Sequence, residues 1–136
     1  MALSADKEAK RAEGTQKSYS VYQSTTIYKG GLVVLNTSGY AIAGADTASV
    51  RFVGVATEKV DNSTGASGAK TVTVDKTGEF EFTMTSNSSQ ALVGTQVYIT
   101  DDTTVNSTST NTIKCGFITE YISATKARVR IDADVQ

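Results

Sequence analysis

The chain is 136 residues long, with 13 Lys and Arg against 14 Asp and Glu, a formal charge of −1 and a pI near 5.4. That length fits one domain with its own core, and the balance of charge excludes the broad basic field that draws a protein to nucleic acid or to an anionic membrane surface. Histidine is absent and Cys115 is alone, which removes His-based triads, His or thiolate metal sites and any intrachain disulfide.

Residues 1–18 stand apart from the rest. LSADKEAKRAEG is built from Ala, Lys, Glu and Arg, with Ser4 as a helix N-cap and Gly14 as a stop. The two to three turns it could form, roughly, are too short to hold as an isolated helix. Apart from alanine its apolar side chains are Met1 and Leu3, so it has little to bury. The segment reads as an N-terminal arm, extended or short-helical, ahead of a body at 19–136. It is charged where a secretory signal carries an apolar core, and no window approaches the roughly 18 apolar residues of a membrane span. The expectation is a soluble protein made in a cytoplasm.

From Tyr19 onward the texture is that of strands and turns. Ser and Thr make up 35 of the 136 residues, at the expense of good helix formers. A first strand is expected over 18–27. Next, GGLVVLNTSGYAIAGA reads as a hairpin, 31–36 with 40–43, whose turn Asn36-Thr37-Ser38-Gly39 pairs a capping side chain with a glycine for positive φ. VRFVGVAT over 50–57 is a further strand. KTVTVD and EFEFTMT alternate strictly, placing Val72 with Val74 and Phe80 with Phe82 and Met84; the Asp75-Lys76-Thr77-Gly78 between them suggests a second hairpin. Strands follow over 95–100, 112–121 and 127–132, the last with Val129 and Ile131 on one side and Arg128 and Arg130 on the other. The stretches 61–69 and 101–111 read as polar surface loops with nothing to bury. About eight or nine short strands without crossover helices predict an all-β fold, a small antiparallel β-barrel or sandwich.

Reactive chemistry is sparse. Glu79 and Glu81 share one strand face at a spacing paired glycosidase carboxylates can have, but a solvated face is the better reading. Asp101-Asp102 and Asp132 with Asp134 lack the spacing of a calcium loop, and Gly30-Gly31 and Gly65 with Gly68 lack the frame of a phosphate cradle. Cys115, in IKCGFI with Ile113 and Phe117 on its side, reads as a small core residue rather than a reactive thiol. The Asn-x-Ser/Thr triplets at Asn36, Asn62, Asn87 and Asn106 are what a Ser/Thr-rich chain produces by chance. Tyr19, Tyr22 and Tyr28 cluster ahead of the first hairpin, where tyrosine suits a protein contact or a barrel cap with its hydroxyl wet. No catalytic residue, cofactor site or metal site is assigned.

The order of the pieces carries a resemblance. A hairpin at 31–43 is followed by FVGVA at 52–56, the alternating pair at 72–82, LVGTQVYITD at 92–101, IKCGFI at 113–118 and a closing ARVRID at 127–132. This series resembles the capsid decoration proteins, also called structural cement proteins, of tailed bacteriophages, over residues 27–132. The resemblance implies a virion protein, made in the host bacterial cytoplasm and not an enzyme. It would bind the outer surface of the major capsid shell, commonly as a homotrimer, and fasten neighbouring capsomers. It also implies that the arm contacts the shell or a neighbouring subunit, here through Leu3, Lys7, Lys10, Arg11, Lys17, Tyr19 and Tyr22. The arm is more charged and alanine-rich than an added strand would be. Two other readings compete: a carbohydrate-binding or host-adhesion module of a phage head or tail fibre, against which the chain has no Trp, and a carboxylate-only enzyme built on Glu79 and Glu81.

Overall fold

The structure is a computed structural model that describes residues 2, 4–6, 11, 14–85 and 88–132. Among these the fold is all-β, in twelve strands. They are β1 (Gln16–Ser20), β2 (Thr25–Ile27), β3 (Leu32–Leu35), β4 (Ala41–Ala43), β5 (Arg51–Ala56), β6 (Val60–Asn62), β7 (Thr71–Asp75), β8 (Thr77–Thr83), β9 (Gln96–Ile99), β10 (Val105–Asn106), β11 (Lys114–Ser123) and β12 (Lys126–Asp132). A single 3-10 turn, Gln90–Leu92, is the helical piece among them.

Three layers follow from where the apolar side chains point. Sheet I runs β1-β7-β5-β3-β4, sheet II runs β10-β9-β11-β12-β8, and β2 and β6 form a separate ribbon. Consecutive residues of β3 and β5 are buried, so sheet I is covered on both faces. Leu32, Val34, Phe52 and Val55 meet Phe82, Met84, Val97, Cys115, Ile118, Val129 and Ile131 of the sheet II side in the larger core. Val33, Val53, Ala56, Val72 and Val74 meet Val21, Ile27 and Val60 in a second core beneath the ribbon. Each of these valines and leucines is worth about 1.5–3 kcal/mol once out of water, so the unbroken apolar runs of the sequence become the centre of the molecule.

The β3–β4 hairpin forms as expected, with Val33 opposite Ala43 and Leu35 opposite Ala41. The Asn36 carboxamide oxygen accepts from the Ser38 and Tyr40 amides, each at 3.0 Å, and Gly39 supplies φ +86°, a conformation only glycine adopts without cost. The second expected hairpin does not form. β7 pairs with β1 and β5, whereas β8 pairs along its length with β12, so at Lys76 the chain crosses from sheet I to sheet II. The Asp75 carboxylate, expected to cap a turn, instead accepts from the Gln16 side chain at 2.8 Å. Alternation was right about faces and silent about partners: Glu79 and Glu81 find Arg130 and Arg128 opposite them on β12, a favourable cross-strand match that the β7 threonines do not offer.

Other expectations are corrected by the same packing. The single strand over 18–27 is two, β1 and β2, separated by a turn in which Ser24 takes φ +54°. The stretch 61–69 is not free of burial, since Asn62 is enclosed, and Val105, within the second polar loop, is core. Val129 and Ile131 face inward with Arg128 and Arg130 outward, as read. Sheet II curls until its edges touch: the Thr83 amide donates to the Thr103 carbonyl at 3.1 Å, and the Thr85 amide donates to the Asn106 side chain at 3.1 Å, giving a half-barrel.

Candidate interaction surface

The residues singled out for contact fall into four groups, the last being Tyr22 alone. Leu3, Lys7 and Lys10 lie outside the described residues. Arg11 is exposed and outside any strand. Lys17 and Tyr19 belong to β1, which begins at Gln16 and so takes up the end of the segment read as arm. There Lys17 opposes Val74 and Tyr19 opposes Val72; Lys17 stays exposed while Tyr19 packs on the second core.

β1 is an edge strand of sheet I. The Lys76 amide donates to the Thr15 carbonyl and the Val21 amide to the Lys70 carbonyl, both at 2.9 Å. By antiparallel alternation the backbone groups of Gln16, Ser18 and Ser20 then point away from β7. The root of the leading segment therefore sits beside Lys76, where the chain changes sheets.

Tyr22 follows β1 and is held from both sides. Its amide donates to the Ala41 carbonyl at 3.0 Å, and its carbonyl accepts from the Asn62 side-chain nitrogen at 2.9 Å. That nitrogen also donates to the Ala66 carbonyl at 3.1 Å, so buried Asn62 ties the 63–69 loop to the chain after β1. The Tyr22 ring, 36% exposed, lies 6.2 Å from that of Tyr40. Tyr28 is 57% exposed, with the Lys59 ammonium 5.2 Å from its ring centroid. Both arrangements present aromatic surface at low entropic cost.

Beside the ribbon, Glu58–Asp61 and Ala69–Thr71 line an open groove of about 410 Å³. Lys70 spans it, donating to the Asp61 carbonyl at 2.6 Å. The Asp61 carboxylate accepts from the Ser63 amide at 3.0 Å and the Thr26 hydroxyl at 3.2 Å. Hydrogen bonds from Ser63 and then Thr26 hold its pKa down at about 2.

The candidate reactive groups are engaged structurally. Glu79 accepts from the Thr119 hydroxyl at 2.5 Å, and Glu81 lies 3.4 Å from Lys126, both carboxylates on an exposed strand face. Asp101 caps its own turn through the Thr103 and Thr104 amides, at 2.9 and 2.8 Å. Asp134 lies outside the described residues. Among the described residues no three His, Cys, Asp or Glu side chains gather as metal ligands would. Cys115 is enclosed, and burial pushes its thiol up to about 12.

Sequence reasoning missed a second exposed set, Phe117, Tyr121 and Ile122 on β11 with nearby Val93. Phe117 was expected on the side of Cys115, but the β11–β9 register slips between Lys114 and Gly116. Cys115 and Gly116 are both buried, and the next side chain turns outward. The available signal was Gly116, since a Cβ there would overlap the Arg130 carbonyl oxygen.

No known family and no curated protein matches the chain. The functional reading therefore rests on the residues and their arrangement.

Proposed function

We propose that the protein is a capsid decoration protein of a tailed bacteriophage. It binds the outer surface of the major capsid shell, as a homotrimer, and strengthens contacts between capsomers. One observation carries the reading: the described residues of the leading segment, Ala2, Ser4, Ala5, Asp6, Arg11 and Gly14, are exposed and belong to neither core. A rigid body with a leading segment rooted at a sheet edge suits adhesion. Several copies engaging several sites multiply a modest affinity, and a segment that orders on docking adds contact area at an entropic cost.

The test is co-sedimentation of the purified protein with mature shells of the encoding phage, followed by heating of the decorated particles. Decorated shells should resist heat better than bare ones. Removal of residues 1–13, which spares β1, should weaken binding by about tenfold or more. Absence of any binding by the full chain refutes the proposal, and equal binding by the shortened chain removes the role of the segment.

A sugar-binding module is the second reading, favoured by the Tyr22–Tyr40 ring pair and exposed Tyr28. A glycan array that returns one sugar class, lost in Tyr22→Ala, would replace the first reading.

A further inference from the structure

A strand that alternated strictly from Cys115 would bury Phe117. Instead the bulge at Cys115–Gly116 re-aims it, a known use of bulges at working surfaces, and leaves the ring 39% exposed on the outer face of sheet II. Its cross-strand neighbours are Gln96 on β9 and Arg130 on β12. The Gly116 position that makes this possible accepts no Cβ, so the outward ring is built into the backbone path.

The charges around it are mixed and balanced. Glu79, Glu81 and Glu120 stand among Lys126, Arg128 and Arg130, with Arg128 paired to Glu120 at 2.9 Å and Lys126 to Glu81 at 3.4 Å. A strongly acidic or basic partner meets no opposing field on such a face. Another copy meets the same interleaved signs, so a contact between copies carries no net like-charge penalty. An aromatic ring beside arginine is also the composition of contact centres.

We propose that the outer face of sheet II around Phe117 is where copies of the chain pack together, the faces of the three copies meeting around the axis of the homotrimer with Phe117 in the contact. The inference rests on the reading above that the protein works in more than one copy. It adds the surface, which lies on a different sheet from the root of the leading segment.

Sedimentation equilibrium of the full chain tests it, with Phe117→Asp, Arg130→Glu and, as a control on the turn after β2, Tyr28→Asp. The wild type should associate. Phe117→Asp should weaken association by about tenfold or more, Arg130→Glu should weaken it in the same direction, and Tyr28→Asp should leave it unchanged. Far-UV circular dichroism confirms that each variant is folded; should Phe117→Asp fail that check, Arg130→Glu decides. A monomeric wild type overturns the multi-copy reading and this inference together. An oligomer untouched by the sheet II variants, or lost equally in Tyr28→Asp, overturns this face and leaves the multi-copy reading standing.

Discussion

Asn62 shows what one side chain can hold. Its nitrogen serves the carbonyls of Tyr22 and Ala66 from a buried position, so truncation takes this donor from the Tyr22 carbonyl and leaves Ala66 with the Ala69 amide. Asn62→Ala should lower the unfolding free energy by about 1–3 kcal/mol in urea denaturation. Titratable residues give a pH profile. Asp61 is held at about 2, below its ordinary 3.8. Asp46 is also held low, its partial desolvation outweighed by hydrogen bonds from Asn111 and Thr110. A carboxylate whose folded pKa is depressed contributes stability above the ordinary value and loses it as the pH falls through the folded one. Thermal scans should therefore show a plateau above about pH 4 and a decline toward pH 2. Cys115 has the opposite sign of shift, raised from 9.0 to about 12, so its thiol stays protonated in the folded protein at pH 8–9, roughly the range in which a free thiol begins to ionise. A thiol reagent should label it only after unfolding.

At the scale of elements, partners matter more than patterns. The Asn36 turn is local, two amides capped by one side chain, and Asn36→Ala should cost about 1 kcal/mol. The β11 bulge is a tertiary device: Gly116→Ala forces a Cβ against the Arg130 carbonyl and should cost about 1–3 kcal/mol or more, read as a lower urea midpoint. These elements also mark how far the sequence was legible. The β3–β4 hairpin and the in–out alternation of β12 follow from residue types within a few positions. The β7–β8 crossing does not, because β8 takes as partner a strand some fifty residues away, with Phe82 and Val129 joining the larger core. Outward Phe117 was hidden for a related reason, since parity along a strand assumes no bulge. Tyr22 was expected at a contact from its residue type alone; the buried amide that anchors it was not legible, because Asn62 lies in a stretch whose composition reads as solvated loop.

For the whole molecule, the three-layer arrangement separates what is dispensable from what is not. Removal of residues 1–13 should leave stability within about 0.5 kcal/mol of the full chain. Removal of 1–20 should not, since it strips β1 from β7 and uncovers the second core at Val72 and Val74. Hydrogen exchange should be slowest in β3 and β5, the strands enclosed on both faces.

Taken alone, the order of amino acids determined that this chain is built of strands, that its first hairpin closes at Asn36–Gly39, and that it lacks the histidine and cysteine pairs much site chemistry requires. These are properties of composition and of neighbours along the chain. Only the tertiary structure decided that sheet I is covered twice, that β7 and β8 belong to different sheets, and that Phe117 faces water. Strand pairing is made between segments far apart, and its free energy comes from side chains that meet only once both layers are in place.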